Sequence, residues 1–279
     1  MTVRGGLRLR YREWAGEGAP IVLLHGLASN AKIWDPVARR LAGRWRVLAF
    51  DQRGHGLSDK PDEGYDFAAV VGDLSDALQQ LGVERPVVVG HSWGAAVALD
   101  YAVNGDPRPR ALALVDGGFG DMSSRLTWEE AEVRLRPPDL VMPEVQFRGR
   151  MRERLGDRWS PDWEAATLGN FYVDDQRMIQ RNLAIPNHMK ILRELYHHRP
   201  SELFGRVECP VLLVPADPPA DSGRDPARQR DREESIAAAE RLLGGPPKAR
   251  TVWMRETVHD VPLHRPAELA ALLDELAAA

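Results

Sequence analysis

What most constrains the fold of this chain is an alternation. Short aliphatic and β-branched runs at 21–25, 47–51, 87–90, 111–115, 211–215 and 250–254 are separated by longer amphipathic stretches at 33–41, 68–81, 93–103, 231–243 and 266–276. Several of the short runs are apolar at consecutive positions, so both faces of each strand must be covered, as in a parallel sheet layered between helices. Gly82 and Gly105 stand just after two of the amphipathic stretches and suit helix ends. The alternation predicts an α/β protein with a mostly parallel, twisted sheet flanked by helices.

One interval breaks the alternation. Between Gly117 and Arg206 no strand is evident, and Trp128, Phe147, Trp159, Trp163, Phe171 and Tyr172 lie among dense mixed charge. The expectation is a helical insertion between two core strands, its charges forming solvated helix faces. Residues 1–117 and 207–279 would then build the core and 118–206 a helical cap. The stretch 218–230, rich in Pro, Asp and Arg, reads as an exposed loop leading into a helix.

At 279 residues the chain can bury a large core, and 43% hydrophobic with 28% charged residues excludes disorder, collagen and coiled coil. With 37 Lys and Arg against 41 Asp and Glu, the net charge of −4 has the wrong sign for a partner of nucleic acid. The one cysteine, Cys209, can form neither an internal disulfide nor a thiolate cage. The longest apolar run, 19–28, is interrupted by His25 and Gly26 and is about half the roughly 20 residues a membrane helix needs. No secretory leader is visible among the first residues, and the expected setting is cytoplasmic and away from membranes. Oligomeric state is not legible.

The chemistry is carried by Gly90-His91-Ser92-Trp93-Gly94, a G-x-S-x-G between an apolar strand and an Ala-rich helix. Flanking glycines let the chain turn sharply and lift the serine hydroxyl above the sheet. A serine needs a base, a group to orient that base, and donors for the developing oxyanion. His259 is the candidate base, because it follows the last strand and precedes the C-terminal helix. The other seven histidines occupy turns, the elbow, the last helix or the insertion. None pairs with a carboxylate at a metal-ligand spacing, so neither a metal nor a cofactor is expected. The oxyanion donors are expected to be the backbone amides of Trp93 and of Leu27, in the loop His25-Gly26-Leu27-Ala28-Ser29.

His25-Gly26, Asp51-Gln52-Arg53-Gly54-His55-Gly56-Leu57-Ser58, Gly90-His91-Ser92-Trp93-Gly94, and His259 followed by Pro266 together resemble the α/β-hydrolase superfamily with a helical cap, over nearly the whole chain. The resemblance implies that Asp51 and Arg53 belong to a structural turn. It also implies two places for the acid. One is a turn after the strand preceding the last, here Pro215-Ala216-Asp217-Pro218-Pro219, where proline stands at the expected position and Asp217 and Asp221 flank it. The other is the end of the strand after the nucleophile, here Asp116. Neighbouring parallel strands lie about 4.8 Å apart, so Asp116 can reach a histidine arriving from the last strand's loop, and it is favoured over Asp217.

The elbow is similar to those of epoxide hydrolases and haloalkane dehalogenases, which carry aspartate where this chain has Ser92. A serine suits attack on an acyl carbonyl. The expected function is a serine esterase acting on a small to medium carboxylic ester through an acyl-enzyme. Lactone, thioester or carbon-carbon bond hydrolysis and non-enzymatic binding of a small molecule are the alternatives. The expected partner is a small acyl substrate. The cap aromatics suit either an apolar pocket or packing between cap and core.

Overall fold

The computed structural model describes residues 1–219 and 225–279. Its strands are β1 (Arg10–Trp14), β2 (Gly16–Leu24), β3 (Gly43–Asp51), β4 (Val87–His91), β5 (Ala111–Val115), β6 (Phe171–Val173), β7 (Ile179–Arg181), β8 (Val211–Val214), β9 (Ala216–Asp217), β10 (Ala249–Thr251) and β11 (Met254–Arg255). Its helices are α1 (Asp35–Leu41), α2 (Phe67–Gln80), α3 (Trp93–Asn104), α4 (Trp128–Leu135), α5 (Glu144–Leu155), α6 (Pro161–Leu168), α7 (Ile185–His197), α8 (Pro200–Leu203), α9 (Pro226–Leu242), α10 (Val261–His264) and α11 (Pro266–Ala278).

Seven strands form one sheet in the order β1-β3-β2-β4-β5-β8-β10, parallel throughout except for β1 at one edge. The period of two along each strand divides the core. Ile21, Leu23, Val47, Val89, Val115 and Val214 face one layer with α1 and α11. Val22, Leu24, Val88, Leu114 and Leu213 face the other with α2, α3 and α9. Strands β4, β5 and β8 are buried at every position, and apart from His91 at the end of β4 every residue of these runs is apolar or glycine. This is the α/β architecture the alternation predicts.

Four features depart from the sequence reading. β1 (Arg-Tyr-Arg-Glu-Trp) pairs antiparallel with β3 and is mostly exposed, and an edge strand of that composition carries no apolar alternation to detect. The run 250–254 is broken: β10 extends the main sheet, whereas β11 pairs with β9 in a separate two-stranded ribbon. The insertion is not wholly helical, because β6 and β7 form a short antiparallel hairpin. Helix α9 starts at Pro226, capped by the Asp225 side chain on the Ala227 amide, inside the stretch read as a loop. Asp221, one of the flanking carboxylates, lies outside the described residues. Among the described residues no helix is long and apolar enough to cross a membrane, and no group of His, Cys, Asp and Glu is arranged to hold a metal ion.

The chain between β5 and β8 is fastened to the core by polar contacts. Asn30 Nδ2 donates to the Ala166 carbonyl at 2.8 Å and to Asn170 Oδ1 at 2.6 Å. Arg39 pairs with Asp162 at 2.6 Å, and Asn187 donates to Tyr65 Oη at 3.1 Å. These contacts hold α6 and α7 beside the carboxyl ends of the strands, where open α/β sheets place their ligands.

Candidate active site

Ser92 sits between β4 and α3 with φ 55° and ψ −118°. That conformation is costly for a residue with a Cβ, and it persists because the neighbouring backbones leave no alternative. A Cβ on Gly90 would fall 2.0 Å from the Gly94 carbonyl oxygen, and one on Gly94 would fall 2.4 Å from the His25 carbonyl oxygen. The two motif glycines are therefore required by close approach of strand, elbow and oxyanion loop. Two further non-glycine residues with positive φ, Ala28 (56°) and Asp116 (46°), flank the same place, so backbone strain gathers around Ser92.

Asp116 ends β5. Its Oδ2 accepts from His259 Nδ1 at 2.6 Å. Its Oδ1 accepts from the Ala216 amide at 2.8 Å and from the Arg232 guanidinium. The carboxylate is 7% exposed, whereas His259 presents 56% of its side chain to the cleft. Burial disfavours the charged carboxylate, but the hydrogen bond and charge of His259, then Arg232 and the Ala216 amide, outweigh it and hold Asp116 below its ordinary range. On His259 burial again opposes charge, while the hydrogen bond and charge of Asp116, aided by Asp260, lift it above the ordinary imidazole value. Asp217 lies elsewhere, in β9, where it pairs with Arg255 at 2.5 Å.

Ser92 and His259 line one cleft of about 230 Å³ together with Leu27, His91, Trp163 and Asn170. The loop carrying Leu27 is pinned by two histidines. His25 Nδ1 donates to the Gly26 carbonyl at 2.8 Å and its Nε2 accepts from the Gln52 amide at 3.1 Å. His55 Nδ1 donates to the Arg53 carbonyl at 2.9 Å and its Nε2 accepts from the Ala28 amide at 3.2 Å. Burial pushes His25 down to about 4 and His55 well below its ordinary value, so both rings are neutral and can accept at Nε2. The Ala28 amide is thereby occupied. Among the described residues the Leu27 and Trp93 amides take no backbone acceptor.

Asp51 and Arg53 serve the turn beneath. Asp51 accepts from the Ala31 and Leu57 amides at 2.7 and 2.9 Å. Arg53 makes a two-armed pair with Asp73 at 2.6 and 2.7 Å. Of the aromatics in the insertion, Trp163 lines the cleft. Trp128 packs on Tyr196, Phe147 on Phe171, and Trp159 under Arg152, so packing accounts for them.

Two residues were not singled out from sequence. Arg232, on α9, is 116 positions from Asp116 and has no local motif. His91, inside the elbow, donates from Nε2 to the His259 carbonyl at 2.8 Å.

The sequence pattern of the alpha/beta hydrolase family matches residues 21–272. An uncharacterized protein of Mycobacterium tuberculosis is 33% identical over 201 residues, which make up 69% of this chain and 52% of that protein. The 2-(acetamidomethylene)succinate hydrolase of Mesorhizobium japonicum is 35% identical over 112 residues, 40% of this chain and 40% of that one. This chain's match thus spans about half the length of the mycobacterial relatives. Among solved structures, E-2-(acetamidomethylene)succinate hydrolase superposes with a TM-score of 0.79 at 22% identity, covering 100% of this chain and 98% of that chain. With the family pattern running from β2 to α11 and the same architecture in a solved relative, the chain belongs to the alpha/beta hydrolase family.

Proposed function

We propose that the protein is a serine hydrolase that cleaves a small to medium carboxylic ester through an acyl-enzyme. The observation that carries this reading is the 2.6 Å contact between His259 Nδ1 and Asp116 Oδ2 behind a strained serine in the same site. Asp116 fixes the imidazole with Nδ1 protonated, which leaves Nε2 as the base for the Ser92 hydroxyl. Ser92 Oγ attacks the acyl carbonyl while His259 takes its proton. The developing oxyanion is met by the Leu27 and Trp93 amides, each worth roughly 3 to 4 kcal/mol by analogy with other oxyanion holes. The imidazolium returns the proton to the leaving alkoxide, and water, activated by the same His259, then opens the acyl-enzyme. A serine in place of aspartate at the elbow favours acyl over epoxide or haloalkane chemistry.

Membership of the alpha/beta hydrolase family and the similarity to a hydrolase whose substrate name contains an acetamido group support hydrolysis of an acyl bond. Cleavage of an amide, lactone, thioester or carbon-carbon bond by the same residues is the second reading. A panel of 4-nitrophenyl esters of rising acyl length, given to the wild type and to Ser92→Ala, tests the proposal. Turnover that vanishes in the variant is expected. Equal release by both proteins, or none from a folded wild type, contradicts it.

A further inference from the structure

Ser92 also borders a second cleft, of about 210 Å³, on its Asp116 side, and the walls of this cleft include Met122, Arg125, Leu195, His198 and Arg232. Two cleft volumes of this size, one on each flank of the serine, accommodate the two arms of a small substrate. The second cleft is unusual in its polar inventory.

Arg232 is engaged by the fold, with one arm on the Ala216 carbonyl at 2.9 Å and the other on Asp116. Arg199 nearby donates to Ser123 Oγ. Arg125 differs: it is a solvent-exposed residue in the cleft wall, and its guanidinium makes no hydrogen bond or ion pair among the described residues, although it carries five donors in a planar fork. Partial desolvation and the like charge of Arg232 lower its pKa, against the pull of Asp231 and Asp121. Asp121 is itself engaged, accepting from the Ser201 amide at 3.0 Å and from its hydroxyl at 2.7 Å. His198, also in this wall, is packed into the fold. Its side chain is 6% exposed, its ring stacks on Phe67 at 3.9 Å, and its Nε2 lies 3.3 Å from Asp100 Oδ2. Its Nδ1 is buried without a partner. The cleft wall therefore carries a guanidinium whose donors are free for a bound anion, with the Asp231 and Asp121 carboxylates as its only attracting charges among the described residues.

We propose that this second cleft is a carboxylate subsite, in which the Arg125 guanidinium receives a free carboxylate carried by the acyl substrate a few bonds from its scissile carbonyl. The proposal rests on Ser92 being the nucleophile, and it narrows the substrate class to half-esters or half-amides of small dicarboxylic acids. Planar guanidinium and carboxylate match in a two-armed, charge-assisted pair, which positions as well as attracts.

The test compares monophenyl esters of succinic, glutaric and adipic acid with phenyl butyrate, valerate and hexanoate, following phenol release by the wild type, Arg125→Gln and Arg125→Lys. The wild type is expected to prefer a charged ester over its neutral match in kcat/KM. That preference should fall on the order of 100-fold in Arg125→Gln, mainly through KM, and recover in part in Arg125→Lys. Lack of preference in the wild type, or the same preference in Arg125→Gln, overturns the subsite while leaving the nucleophile standing. Should neither ester series be cleaved, the function proposed for Ser92 fails. Calorimetric binding of glutarate then still decides the subsite: affinity lost in Arg125→Gln supports it, and no binding to the wild type or equal binding to the variant overturns it.

Discussion

His91 Nε2 donates to the backbone carbonyl of His259 at 2.8 Å, so the residue before the candidate nucleophile holds the loop of the candidate base. The two rings lie 4.8 Å apart. Burial pushes His91 down to about 4, which keeps it neutral and leaves its one proton on Nε2, where the carbonyl needs a donor.

Replacing His91 by leucine removes that donor and frees the loop. The expected result is a kcat lower by roughly 10- to 100-fold with KM within about twofold, because misplacement of the base affects the reacting geometry more than binding. His91→Gln, whose amide can donate to the same carbonyl, should recover part of the loss. Steady-state kinetics on a 4-nitrophenyl ester checks this, and equal impairment of both variants argues for a packing role only.

Asp116→Asn should lower kcat by about 10⁴-fold while the protein stays folded, since the histidine then loses the acceptor that fixes its tautomer. Asp217→Asn should leave kcat within about twofold, because Asp217 is engaged with Arg255 and not with His259. The opposite pattern would transfer the orienting role to Asp217.

The acid limb of kcat/KM should titrate above the ordinary imidazole value of 6.5, because Asp116 and Asp260 lift His259 against the opposing effect of burial. Activity requires the neutral ring, so it falls as pH drops through that raised value. In Asp116→Asn the residual limb should move to lower pH, since the leading upward contributions are gone and burial remains. A limb that stays in place would mean another group sets it.

Conformational stability should fall between pH 6.5 and about 4. His25 and His91 bind protons in the unfolded chain near 6.5 but in the folded protein only at about 4, and His55 is depressed as well. The unfolded state therefore holds more protons in this window, and protonation drives unfolding. At pH 5 each of the two rings costs roughly 2 kcal/mol relative to pH 7. Urea midpoints at the two pH values measure this, and unchanged midpoints would contradict it.

The central strands were legible because burial on both faces forces continuous apolar runs, and the G-x-S-x-G was legible because a sharp turn demands glycine at Gly90 and Gly94. β1 was not, since an exposed edge places no apolar demand on Arg10–Trp14. The β6–β7 hairpin was missed because three-residue strands carry too little periodicity. Asp116 is favoured over Asp217 from sequence because its strand adjoins the nucleophile strand and proline stands at the expected position in the other turn, and in the structure His259 Nδ1 lies 2.6 Å from Asp116 Oδ2. Arg232 reaches Asp116 from a charge-rich helix that reads as solvated, and Arg125 sits in a segment of similar composition. Their significance depends on what lies across the cleft, which a linear pattern does not encode.

The central claim is that the Ser92 hydroxyl is made nucleophilic by His259. The most direct measurement is reaction of the intact protein with a fluorophosphonate, followed by peptide mapping by mass spectrometry. The account predicts one adduct per chain, located on Ser92, absent from Ser92→Ala and formed far more slowly in His259→Ala. A folded wild type that stays unlabelled, or that carries the adduct on another residue, would contradict it.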